Sequence, residues 1–408
     1  MSNLLIQNIG LLVTPEGMEA RRGEAQGVVK ALENAWVYIE NGEIIRVGTG
    51  LAPITMGEKL DADGRLVTPG LVDAHTHLVF GGWRQNELAM KIRGVPYLDI
   101  LAAGGGIHST VAATRAASED ELAEKANAAL DEMLSFGTTT VEAKSGYGLS
   151  TEEELKQLRV IRRLNETHAI DVMSTFMGAH AIPPEFQERR DDYVNLICNE
   201  MIPAVAAEGL AAFCDVFCET GVFTAAEACK ILETGRQYGL LPKIHADEID
   251  PIGGSQLAGE LGAISAEHLI VCPDAGIESL AAGGVVACLL PATSFYLNST
   301  YAPARKMIEA GVPVAMASDF NPGSCPCLNL QLVMNLGCLK YRLTPEEVLT
   351  AVTLNGAAAI GLADRVGSLE PGKQADLVIW DAPDLNYLCY RLGSNLVQHV
   401  IKKGNIVR

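Results

Sequence analysis

Between residues 71 and 317 the chain repeats one unit: a short apolar run followed by a longer stretch with helical spacing. The runs are Leu71–Leu78, Thr138–Ala143, Asp171–Met177, Phe213–Phe217, Leu241–His245, Ala263–His268, Val285–Leu290 and Val312–Ala317. Parallel strands covered on both faces read as such near-continuous apolar runs, and a helix between each pair returns the chain to the same edge. Helix-like stretches include SEDELAEKANAALDEMLSFG and STEEELKQLRVIRRLN; the second opens on Ser150 and Glu153 with capping-box spacing. Eight such units predict a (β/α)8 barrel, and a doubly wound sheet fits the same alternation.

The two chain ends read differently. LLIQNIGLLVT and AWVYIENGEIIRVGTG, with Asn41-Gly42 as a turn, have the pattern of hairpins. So do VGSLEPGKQADLVIWD and HVIKKGNIVR, the latter with Gly404-Asn405 between apolar pairs. Neither end is long enough to bury a good core alone. The economical arrangement is one small β domain from residues 1–65 and 366–408, flanking a barrel of residues 66–365.

Charge excludes some partners. Lys and Arg number 31 against 50 Asp and Glu, a formal charge of -19. Nucleic-acid binders and basic membrane-surface proteins show the opposite balance. An anionic small-molecule substrate would then need a local cation. Ten cysteines run from Cys198 to Cys389 without a CxxC pair, and Cys325 and Cys327 are too close for an ordinary disulfide. Reduced, mostly buried thiols are expected. The start, MSNLLIQNIG, lacks the basic and apolar regions of a signal peptide. Ser279–Ala304 is uncharged but broken by Pro291 and Asn298, so it reads as strand and loop. A cytoplasmic protein with no membrane partner is expected.

In a barrel the chemistry sits where strands end. Here the ends carry His75 and His77; Lys144, Ser145 and Tyr147; His180; His245 with Glu248; His268; and Asp319 with Asn321, Gly323 and Ser324. Five of the chain's eight histidines fall at these ends. Any one alone reads more readily as a hydrogen-bonded structural residue than as a ligand. Together, imidazole nitrogens and a carboxylate form the donor set of a zinc-type metal with a position left for water. His75 and His77 are two apart, so they face one side of a strand and can reach one ion. The run Gly104-Gly105-Gly106 lacks the pattern of a phosphate cradle and reads as a loop.

LVTPGLVDAHTH, the single histidines His245 and His268, Asp319 within VAMASDFNPG, and EPGKQADLVIWD resemble the amidohydrolase superfamily over nearly the whole chain. The resemblance implies a (β/α)8 TIM-like barrel with a small β-sandwich domain formed from both chain ends. Several members carry two metals bridged by a modified lysine after the fourth strand. FCDVFCETGVF has no lysine there, and Lys144 follows the second strand. One divalent or trivalent ion, zinc or iron, held by His75, His77, His245 and Asp319, is therefore expected, with Cys218 or Glu219 as a minor alternative bridging ligand.

Finer motifs are FGGWRQNEL, LAAGGGIHSTVAATR, EAKSGYGLSTEEELKQLR, MGAHAIPPEF, HADEI and SDFNPGS. They resemble the branch that hydrolyses the cyclic amide 4-imidazolone-5-propanoate to N-formimidoyl-L-glutamate, the third step of histidine degradation. Metal-activated water attacking the ring carbonyl is the implied chemistry. Substrate contacts are implied for Arg84, Tyr147, His180, Glu248, Asn321, Gly323 and Ser324. Arg84 suits the propionate as a bidentate partner. Glu248, His268 and Asp319 are the implied proton-transfer groups. The family and base rates imply a homodimer. The rival reading is a deaminase of the same superfamily acting on a cyclic amidine or nucleobase.

Overall fold

The computed structural model describes residues 3–54, 57–95 and 105–408. Gly104 and the first residues of LAAGGGIHSTVAATR lie outside them.

Eight strands form the central sheet: β6 (Leu71–Thr76), β7 (Thr138–Lys144), β8 (Asp171–Ala179), β9 (Phe213–Cys218), β10 (Leu241–Ala246), β11 (Ser265–His268), β12 (Val286–Leu289) and β13 (Val314–Met316). They pair in sequence order, all parallel. The ring closes just beyond β13, where Thr76 bridges Phe320 in parallel. His77 N donates to Phe320 O at 2.8 Å and Asp319 N to His75 O at 3.0 Å. Closure therefore places the end of β6 directly beside Asp319. The eight predicted runs are these eight strands, so the sheet is a barrel and not a doubly wound fold.

Outside the ring, helices pack on the strands through one large apolar core that includes Leu122, Leu130, Leu158, Ile161, Ile231 and Leu280. The helix Glu119–Ser135 starts in a capping box made by Ser118 and Glu121. The helix Thr151–Thr167 starts at Ser150, but the predicted box with Glu153 does not form. Glu153 is drawn instead to Lys156 one turn on.

The chain ends form a second sheet. It holds β1 (Asn3–Thr14), β2 (Lys30–Glu40), β3 (Glu43–Thr49), β4 (Glu58–Asp61), β5 (Leu66–Pro69), β14 (Leu377–Trp380), β15 (Val397–Lys402) and β16 (Asn405–Ile406). Its order is β16-β15-β14-β5-β1-β2-β3, with β4 beside β1. Asn41 and Gly42 both take positive φ between β2 and β3, the two-residue turn that matches strand twist. At β15–β16 the turn residues are Lys403 and Gly404, one position earlier than the sequence reading. Leu4, Ile6, Ile9, Val37, Ile39, Leu377 and Ile379 fill this sheet's own core.

The two parts meet at fixed points. Trp380 is buried, donates through Nε1 to Thr68 Oγ1 at 2.9 Å, and lies against Gly137, where a Cβ would approach its ring to 3.0 Å. Asp171 at the start of β8 receives Lys402 at 2.8 Å and Lys403 at 2.6 Å. Among the described residues no helix is long and apolar enough to cross a membrane. All ten cysteines are free thiols.

Candidate active site

At the mouth of the barrel, His75, His77 and His245 bring ring nitrogens within 4.8 Å of one another. Asp319 Oδ1 lies 3.4 Å from His75 Nε2 and 3.7 Å from His77 Nε2. The rings themselves are held from below. His75 Nδ1 donates to Glu267 Oε2 at 2.8 Å, and His245 Nδ1 to Asp215 Oδ1 at 3.0 Å. A ring that donates from Nδ1 presents a lone pair at Nε2. The Nε2 atoms of His75 and His245, and Nδ1 of His77, are buried without a hydrogen-bond partner. Buried nitrogens with no partner are costly unless something electrophilic takes them up. Burial also pushes His75 and His77 well below the usual histidine range, which keeps the rings neutral and able to ligate. Three imidazoles and a carboxylate fit one metal ion of zinc or iron type. Neither Cys218 nor Glu219 belongs to such a cluster among the described residues.

Beneath the histidines lies a buried ionic floor. Lys144 Nζ donates to Glu142 Oε1 at 2.7 Å and to Asp215 Oδ2 at 2.8 Å. Burial opposes its charge, but Asp215 and Glu142 outweigh that and raise Lys144 above the usual lysine range. Lys243 pairs with Glu267 at 3.2 Å and donates to Ser265 Oγ at 2.7 Å. Against the upward push of burial, Lys243 and Lys144 hold Glu267 down at about 2. So both carboxylates under the histidines stay ionised, and Lys144 acts as their counterion and not as a bridging ligand.

Around the cluster stand the other residues of interest. His180 stacks on His77 with ring centres 4.8 Å apart and planes 14° apart. Its Nδ1 faces Gly146 O at 3.0 Å, and burial followed by His245 lowers it to about 3. Tyr147 is buried, 5.2 Å from His180 and 5.8 Å from His77 between ring centres. His268 Nε2 stands 3.7 Å from Glu248 Oε2. Burial raises Glu248 to about 7 and lowers His268 to about 4. Asp319 accepts from Thr293 Oγ1 at 2.6 Å. His268 and Asp319 both take positive φ, at 67° and 55°, a strained state for residues other than glycine.

Arg84 lies against the loop that follows Asp319. Its guanidinium packs on Gly323, where a Cβ would sit 1.0 Å from a terminal nitrogen. Glu87, its nearest acidic neighbour in sequence, binds Gly106 N at 2.6 Å and pairs with Lys91 at 3.3 Å. Arg84 forms no ion pair among the described residues, and its Nε is buried without a partner. The Asn321 side chain organises its own loop: Oδ1 accepts from Gly323 N at 2.8 Å and Ser324 N at 2.7 Å, and Nδ2 donates to Ser324 Oγ at 2.8 Å. Those two amides are therefore engaged within the loop.

Residues 66–407 match the model of the amidohydrolase family. The imidazolonepropionase of Alkaliphilus metalliredigens is 54% identical over 100% of this chain and 98% of its own length. That of Geobacillus kaustophilus is 50% identical, with the same coverage of both chains. The chain belongs to the amidohydrolase family, among its imidazolonepropionases. An adenosine deaminase from Xanthomonas campestris shares the fold, with a TM-score of 0.71 at 22% identity over 99% of this chain and 92% of its own.

The sequence reading of this imidazolonepropionase-family chain missed the supports. Besides the ionic floor, Glu154 on the helix Thr151–Thr167 accepts from Gly146 N at 3.0 Å and from Gly148 N and Leu149 N at 2.8 Å each. Gln157 accepts from Tyr147 N at 3.0 Å and donates to Val79 O at 2.7 Å. One helix thus fixes the Tyr147 loop and ties it to the segment that follows His77. The available signal was a charge inside an apolar strand, as with Asp215 in FCDVFC and Lys243 in LPKIHA.

Proposed function

We propose that the protein hydrolyses 4-imidazolone-5-propanoate to N-formimidoyl-L-glutamate, using one zinc or iron ion held by His75, His77, His245 and Asp319. The observation that carries this reading is the convergence of three buried histidines and Asp319, with an Arg84 that forms no ion pair among the described residues, in a chain about half identical to imidazolonepropionases end to end.

When bound, the metal supplies Lewis-acid polarisation of the ring carbonyl and lowers the pKa of water to about 7. The rest falls to the protein. Arg84 holds the propionate as a planar bidentate partner. Tyr147 and His180 line the ring's place, with His180 neutral and so able to hydrogen-bond the ring without repelling Arg84. Asn321, Gly323 and Ser324 shape the wall on which the guanidinium rests. Water adds to the ring carbonyl carbon and gives its proton to Asp319 or His268. The bond from that carbon to the ring nitrogen then breaks, and Glu248 delivers the proton the nitrogen needs. A carboxyl held at about 7 is suited to both taking and giving a proton near neutrality. We propose a homodimer acting in the cytoplasm.

The test is to generate the substrate from urocanate in situ and follow its ultraviolet absorbance with holoenzyme and with chelator-treated enzyme. Chelator-sensitive loss with formimidoylglutamate as product supports the reading. Metal-loaded enzyme that leaves the substrate intact refutes the substrate. Release of ammonia from a cyclic amidine would then favour a deaminase.

A further inference from the structure

We infer that Glu219 is a positioning residue that sets Glu248 in place for proton transfer. This rests on the role given to Glu248 above. Glu219 directly follows β9 and is 1% exposed. No cation pairs with it among the described residues, for nearby Arg190 is taken by Glu227. A buried carboxylate without a countercharge is costly unless hydrogen bonds are aimed at it. Glu219 has three. Oε2 accepts from Ile249 N at 2.9 Å, and Oε1 from Asp250 N at 3.1 Å and Thr220 N at 2.7 Å.

Two of those three amides belong to the residues immediately after Glu248. They fix the backbone from which the Glu248 side chain projects. Packing does little of this, since Ile249 is 66% exposed. Glu219 itself is fixed by the strand end: its N donates to Phe223 O at 3.0 Å, and its O accepts from Val222 N at 2.9 Å. On the other flank Asp247 takes a φ of 52°, and its carbonyl accepts from Val271 N at 2.9 Å. Glu248 is thus clamped between β9 and the segment after β11, where His268 ends the strand. Glutamine cannot replace Glu219 here. One of its two terminal atoms is a donor and would face an N–H.

The test is a cycle on metal-loaded enzyme: wild type, Glu219→Gln, Glu248→Gln and the double variant, each with kcat, KM and metal content measured. Glu219→Gln should lower kcat about 10–100-fold, as misplacement of a catalytic group by about 1 Å does. KM should stay within about threefold and metal content should not change, because the loss belongs to the chemical step. In the Glu248→Gln background the same change should lower kcat by no more than about twofold, because the group it positions is gone. Glu219→Asp, which keeps two acceptors, should recover part of kcat, and it carries the test if Glu219→Gln does not fold. Equal kcat losses in both backgrounds, or wild-type kcat in Glu219→Gln, would overturn the inference. Wild-type kcat in Glu248→Gln would instead remove Glu248 from the mechanism, and the inference with it.

Discussion

His245 donates from Nδ1 to Asp215 Oδ1 across 3.0 Å, and the other oxygen of Asp215 holds Lys144 at 2.8 Å. One carboxylate therefore orients a metal-facing ring and neutralises a buried cation. Asp215→Asn removes the charge and leaves one acceptor for two donors. Loss of such an outer partner typically lowers metal affinity about 10–100-fold. Leaving Lys144 with Glu142 alone should also cost roughly 3 kcal/mol of stability. Metal occupancy against a graded chelator, with a denaturant midpoint beside it, measures the two effects. An unchanged occupancy curve would show that the Asp215 bond does not tune His245.

Arg84 and Gly323 form a second coupled pair. A methyl group at 323 would occupy the guanidinium's place. Arg84→Met and Gly323→Ala should therefore share a phenotype, a KM raised about 10–100-fold by loss of a charge-assisted clamp. The two changes should combine to less than their sum, since both remove one contact. Unchanged half-saturation in Gly323→Ala would mean that Arg84 does not hold the carboxylate from this position.

How much of this was legible beforehand depended on distance along the chain. The strands showed because parallel strands with two covered faces stay apolar along their length. Their ends were less legible: β11 begins at Ser265, not Ala263, and β13 covers only Val314–Met316, because pairing and not hydropathy decides where a ladder stops. The histidines and Asp319 showed because each sits at a strand end. Glu267 did not, although it directly precedes His268, because its partner His75 lies 192 residues away. The absent Ser150–Glu153 box has the same cause in miniature: Lys156 competes for Glu153, and spacing alone cannot rank the two.

Glu154 anchors three of the four amides from Gly146 to Leu149 in the Tyr147 loop, and Gln157 takes the fourth, that of Tyr147. Glu154→Ala should free Gly146, Gly148 and Leu149, at about 1–3 kcal/mol for each amide left unsatisfied and less where water enters. Hydrogen exchange should accelerate in the peptide covering residues 145–150 while β8 and β9 stay protected. Unaltered exchange there would show that Gln157 suffices to hold the loop.

Asp171 joins the barrel to the small sheet, and its charge gives the junction a pH dependence. Burial pushes its carboxyl up, but Lys402, Lys403 and Gln374 outweigh that and hold it at about 2, below its ordinary 3.8. A depressed folded pKa means that the unfolded chain binds the proton first. The stabilisation is therefore complete above about pH 5 and is lost as pH falls from about 4 towards 2. Asp171→Asn should cost about 1–2 kcal/mol at pH 6, less than the full shift implies because solvent and salt reach part of the site. The gap between wild type and variant should close as pH approaches about 2, since protonation makes the two alike. Denaturant midpoints at pH 6, 4 and 3 measure it. A gap constant over that range would assign the junction's strength to the neutral hydrogen bond from Gln374 Nε2, at 2.8 Å, and not to the lysines.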